Sequence, residues 1–199
     1  MNRRAFLLAC ALALPPIVTL SPGTPRGVTT AEASVARLLT IDELVSASSY
    51  VVVAVASERR SVWEDLPSGK RIVTYTKLTV ERAVAGEPGK EIWVRTLGGV
   101  VDKIGQSVPG EAQIATGARA LFFLAQAGSA TVITAMSQGH YPVITDDKGV
   151  MRLSSSPDPG MLVPRRGPSI SAHERLVGGK LDDAVALVVQ TRKARDEKK

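Results

Sequence analysis

The clearest periodic signal in the chain lies between Arg71 and Val80. Ile72, Thr74, Thr76, Leu78 and Val80 fall on one side of a two-residue repeat, and Arg71, Val73, Tyr75, Lys77 and Thr79 on the other. Strict alternation predicts a half-buried strand with the first set facing inward. Upstream, Tyr50 to Ser57 is rich in Val and free of Gly and Pro, which predicts a strand buried on both faces. Residues Ser57 to Trp63 prolong it as a more exposed ribbon, and Pro67-Ser68-Gly69 marks a turn into the next strand. Glu91 to Thr96 alternates again, with Ile92, Val94 and Thr96 together. Arg119–Ala125 and Thr131–Met136 read as a hairpin around Ala127-Gly128-Ser129. Tyr141–Thr145 and Val150–Leu153 form another across Asp146-Asp147-Lys148-Gly149, with Pro142 placing its strand at an edge.

The remaining segments punctuate these strands. Thr40-Ile41-Asp42-Glu43 and Ser171-Ala172-His173-Glu174 are capping boxes, in which a hydroxyl and a glutamate satisfy each other's backbone amides at a helix start. A short helix to about Ser48 follows the first; Gly178-Gly179 ends the second. Leu181 to about Arg195 predicts an amphipathic helix with acids at its start and bases at its end, matching the helix dipole. Leu97 to Gly117 holds five glycines and Pro109, a long loop suited to covering an opening of the sheet. Residues 154–170 are proline-rich and read as a linker. The expected fold is mainly β: a small antiparallel barrel or curled sheet with short flanking helices and a C-terminal amphipathic helix, with a β-sandwich as the alternative. The expected organisation is a leader at 1–33, a β-rich domain at 34–153, the linker, and a helical segment at 171–199 packed on the domain.

The leader changes what the rest must do. Arg3-Arg4 precedes an apolar run from Ala5 to Leu14, and Ala31-Glu32-Ala33 has the small-x-small pattern of a cleavage site. The order Arg3-Arg4-Ala5-Phe6-Leu7 resembles a twin-arginine signal; a general secretory signal and a lipid anchor through Cys10 are the alternatives. The expected location is therefore periplasmic or secreted, with nothing spanning the membrane after cleavage, since the run is short of the roughly 20 residues a bilayer needs. Cleavage after Ala33 removes three of the 25 basic residues (Arg3, Arg4, Arg26) and one of the 19 acidic ones (Glu32), leaving 22 and 18. The remaining positive excess is concentrated in the tail from Arg192, so the composition does not suggest a nucleic-acid partner. Cys10 is the only cysteine and departs with the leader, which excludes disulfides and thiolate chemistry from the mature chain.

Candidate chemistry is sparse. His140 and His173 are the only imidazoles, and neither has a second ligand at metal-site spacing, so no metal and no cofactor is expected, and His140 reads as a strand-edge residue beside Gly139. Ser137-Gln138-Gly139 has half of a nucleophile elbow but lacks the first Gly and the strand-to-helix context, so it reads as a turn. On the outward faces of their strands, Trp93 and Tyr75 could share a patch with Arg95 and Lys77 if the strands pair. That patch suits either a ligand surface or the underside of the C-terminal helix.

From Leu44 to Gly99, and on through Gly117-Ala118-Arg119 and Leu121-Phe122-Phe123-Leu124, the order of helix, Val-rich strand, alternating strand and Ile92-Trp93-Val94 resembles a group of uncharacterised exported bacterial proteins. The resemblance implies a small barrel of oligonucleotide/oligosaccharide-binding or netrin-like shape and points to no particular activity. The expected function is a non-enzymatic exported β-domain binding a protein, peptide or envelope polymer through the Trp93 patch or the loop from Gly98 to Gly117. A secreted hydrolase whose site assembles only in three dimensions, from acids or Ser137 with His140, is the alternative.

Overall fold

The computed structural model describes residues 35–164 and 167–198. The leader features Arg3, Arg4, Cys10, Ala31 and Ala33 lie outside the described residues. In chain order the elements are strand β1 (Val35–Arg37), helix α1 (Ile41–Ala47), strands β2 (Tyr50–Leu66), β3 (Gly69–Ala85), β4 (Glu91–Leu97), β5 (Gly99–Val101) and β6 (Ile104–Gln106). They continue with β7 (Arg119–Ala127), β8 (Ala130–Ile133), a 3-10 turn (Met136–Gly139), β9 (His140–Thr145), β10 (Met151–Leu153) and β11 (Met161–Val163). Helices α2 (Ala172–Leu176) and α3 (Leu181–Asp196) close the chain.

Seven strands form one sheet in the order β10-β9-β7-β2-β3-β4-β8, and β8 also pairs with β7. That extra pairing closes β7, β2, β3, β4 and β8 into a ring, so the fold is the barrel rather than the sandwich. The sheet is mixed, not wholly antiparallel: β8 runs antiparallel to β7 but parallel to β4 through Val94–Thr131 and Arg95–Val132. A hairpin partner added to one end of an antiparallel ring must meet the other end in parallel when the ring has five members.

Two cores result. Inside the ring lie Val52, Ala54, Leu78, Ile92, Val94, Phe122 and Leu124, joined by Ala112 and Ile114 from the loop after β4. On the outer side of β2, β7 and β9, the residues Val51, Val53, Leu121, Phe123 and Tyr141 meet Leu44 and Val45 of α1, Leu176 of α2 and Leu181, Ala184 and Val188 of α3. The start of β2 is therefore buried on both faces, as its run of valines predicts. Both capping boxes form: the Thr40 and Ser171 hydroxyls accept from the Glu43 and Glu174 amides, and each glutamate accepts from the cap's own amide.

Several local expectations are corrected. The strand carrying Pro142 is not an edge: β9 lies between β7 and β10. Pro142 is tolerated because it stands where β9 leaves β7 for β10, and only its carbonyl is used, accepting from Ser154 N at 2.8 Å. The linker is not wholly irregular, because β11 pairs in parallel with β1. The long loop contains its own hairpin, β5–β6. His140 is buried rather than placed at a strand edge. Val73, on the outward side of its strand, is also buried, flanked by Val62 and Leu97 in the adjoining strands. No helix of the described residues is long and apolar enough to cross a membrane.

Candidate functional site

The two-residue turn Pro67-Ser68 fixes the register of the long hairpin, setting Leu66 opposite Gly69, Arg60 opposite Tyr75 and Glu58 opposite Lys77. On the other side of β3, Tyr75 stands opposite Arg95 and Lys77 opposite Trp93. The four residues singled out from the sequence, Tyr75, Lys77, Trp93 and Arg95, therefore share one outward face with Glu58, Arg60 and Glu64. Helix α3 does not cover it. It packs on α1, β10 and the C-terminal end of β3, where Arg82 bonds to Asp182.

The charges beside Tyr75 and Trp93 are paired with one exception. Lys77 Nζ reaches Glu58 at 3.1 Å and Glu91 at 3.0 Å. Donating to Glu91 and then to Glu58 holds the Lys77 ammonium above its ordinary range. Glu64 accepts from Tyr75 Oη at 2.9 Å and from Arg95 Nη1 at 3.2 Å. Burial, followed by the neighbouring Glu64, raises the Tyr75 phenol, so it remains a donor at neutral pH. Arg60 is the exception. Among the described residues its guanidinium has no carboxylate partner; it lies 5.6 Å from the centre of the Tyr75 ring and 5.3 Å from that of Trp93. Trp93 is 40% exposed. Arg60 and Glu64 were not singled out from sequence. Their part of β2 looks like any charged ribbon until the register places it beside the aromatic strand.

The glycine-rich loop is tied to β3. Ile72 N donates to Gln106 Oε1 at 2.7 Å, Gly98 N donates to Ile72 O, and Thr74 Oγ1 donates to Gly98 O at 2.7 Å. Gly98 has φ +88°, and a Cβ there would lie 2.6 Å from the Gln106 carbonyl, so no side chain fits. A cleft of about 400 Å³ remains between this hairpin and the sheet, lined by Arg59, Thr74, Thr96, Gln106 and Glu111 among others. Burial pushes the Glu111 carboxyl above its usual range.

Ser137 and His140 are directed to different partners. Ser137 Oγ donates to Pro159 O at 3.2 Å, while His140 Nδ1 lies 3.1 Å from Ser156 Oγ, its ring stacked on Phe122 with centres 5.2 Å apart. Burial lowers the His140 pKa to about 4. The motif is a junction. Gln138 accepts from Leu39 N and donates to Arg37 O, tying β1 to the barrel, and Gly139 packs against the Thr134 carbonyl too closely for any Cβ.

No protein-family model matches this chain. None of the curated proteins matches it either.

Proposed function

We infer that this protein is an exported, non-enzymatic binding domain whose ligand is a carboxylate-bearing saccharide polymer of the cell envelope. It lies along the outward face of β3 and β4. The observation that carries the reading is the Arg60 guanidinium, held without an ion-pair partner against Tyr75 and Trp93 on a face left uncovered by the helices. Aromatic rings offer a flat apolar surface for the faces of sugar rings, and a stacked guanidinium keeps its N–H edge free for a carboxylate. The paired charges around it, Lys77 with Glu58 and Glu91 and Arg95 with Glu64, hold the strand surface in one arrangement.

Fold-level analogy supports the same face. Small five-stranded Greek-key barrels bind oligomers across their second and third strands, which correspond to β3 and β4 here. The twin-arginine-like leader supports an envelope partner. The separate bonding of Ser137 and His140 gives the hydrolase alternative no support.

Calorimetric titration with solubilised peptidoglycan fragments tests the reading. Binding is expected to weaken about tenfold in Arg60→Ala and in Trp93→Ala, the loss of about 1.4 kcal/mol each. A neutral glucan should bind more weakly than the carboxylate-bearing fragments. Binding unchanged in the Arg60→Ala/Trp93→Ala double variant would contradict it.

A further inference from the structure

The long hairpin leaves one backbone edge open. From Arg59 to Asp65, β2 has β3 on one side and, among the described residues, no strand on the other; β7 pairs only with Tyr50 to Val55. Which residues offer their backbone to that edge follows from Ile72. Its N–H donates to Gln106 and its carbonyl accepts from Gly98, so both of its groups point away from β2. Trp63, opposite Ile72, is then in a non-hydrogen-bonded pair, and its own N–H and C=O face outward. By the two-residue alternation of an antiparallel ladder, Arg59, Ser61 and Asp65 do the same.

Exposed edges of this length are usually blunted against pairing. Here the charges are self-complementary instead. An antiparallel contact between two copies must place outward-facing residues opposite one another, so the two residue numbers of each pair sum to an even number. With the two-fold axis through Val62, Arg59 stands opposite Asp65, Arg60 opposite Glu64, Ser61 opposite Trp63, and Val62 opposite itself. The Arg59–Asp65 pair is of opposite sign, while Arg60 keeps its place against Tyr75 and Trp93 and Glu64 its bonds to Tyr75 and Arg95. Moving the register by one step sets Glu58 against Glu64 in one direction and leaves Arg60 against Leu66 in the other. Arg59 and Asp65 are exposed and have no ion-pair partner within the chain among the described residues.

We propose that this protein forms a two-fold dimer by joining the free β2 edges of two copies, with the axis at Val62. Such an interface is isologous: every contact occurs twice. The four outward-facing pairs supply eight backbone hydrogen bonds, and the contact covers Val62 and Trp63, which are 36% and 40% exposed in the single chain. The joined sheet runs β4-β3-β2 into the partner's β2-β3-β4. Five strand spacings then separate the two Trp93 strands, about 24 Å. An extended polymer could meet both faces, although the dimer itself rests on the edge and not on any ligand.

Sedimentation velocity of the purified protein over a micromolar concentration range tests it. A monomer–dimer equilibrium is expected. Arg59→Glu, which sets like charges together, should raise the dissociation constant about tenfold or more, and Arg59→Glu/Asp65→Arg should restore it. Because Val62 meets itself at a close pair with Cα atoms about 4.5 Å apart, Val62→Cys in a Cys10→Ser background should oxidise to a covalent dimer. Thr79→Cys in the same background, exposed on β3, should not. Amide exchange at Arg59, Ser61, Trp63 and Asp65 should slow with concentration, while that at Arg60, Val62 and Glu64 does not change. A monomer at every concentration, a dimer indifferent to Arg59→Glu, or a reversal that the double variant fails to rescue would each overturn the proposal.

Discussion

Mild acid should destabilise this domain through His140 before the paired carboxylates of Glu81, Asp146 and Glu174 begin to titrate. The imidazole is 3% exposed, stacked on Phe122 and bonded to Ser156, and its burial lowers the pKa to about 4. The unfolded chain has an ordinary imidazole near 6.5. The depressed value means that the unfolded state takes the proton first. Stability from the neutral ring is thus fully present above about pH 6.5 and lost as pH falls toward about 4. The whole window amounts to roughly 3 kcal/mol, at about 1.4 kcal/mol per unit, and the part between pH 6.5 and 5 to roughly 2 kcal/mol. Glu81, Asp146 and Glu174 are held below the usual carboxylate range by Arg119, Arg152 and the Ser171 amide, respectively, so their contribution is lost only at lower pH. Urea unfolding between pH 8 and 4.5 measures the effect. The wild-type midpoint should fall between pH 6.5 and 5, and His140→Gln, whatever its own stability, should remove that slope. An equal slope in the variant would refute the reasoning.

Packing, capping and backbone conformation set three further outcomes. Phe122→Ala, at the centre of the ring, should cost about 3–5 kcal/mol, whereas Trp93→Ala should cost about 1 kcal/mol or less; thermal unfolding of the two variants separates core from surface. Thr40→Ala removes the hydroxyl half of a capping box and should lower stability by about 1 kcal/mol, read by chemical denaturation. Gly98→Ala combines a left-handed backbone with a Cβ against Gln106 O, so a loss of about 1–3 kcal/mol is expected, with faster amide exchange across β5 and β6.

How legible this was in the sequence depended on the range of the interactions. Strand β3, both capping boxes, the Asp146–Gly149 turn and the acid-to-base order of α3 were readable because each is written within a few consecutive residues. Closure of the ring was not. It rests on Val94 meeting Thr131 and on β7 giving Ala120–Phe122 to β9 and Leu124–Ala127 to β8, pairings that no local pattern encodes. The same holds for the candidate face. Tyr75, Lys77, Trp93 and Arg95 were readable from alternation. Arg60, which lies against both rings, came into view only with the register set by Pro67-Ser68. His140 was misplaced because its burial depends on β9 lying inside the sheet, with Ser156 and Phe122 closing around it.

The ligand face itself is tested most directly by mapping amide chemical shifts while solubilised peptidoglycan fragments are added to the isotopically labelled protein. The expected shifts concentrate on Arg60, Tyr75, Lys77, Trp93 and Arg95 and vanish in Arg60→Ala/Trp93→Ala. Shifts confined to the loop between Gly98 and Gly117, or none on β3 and β4, would contradict the assignment.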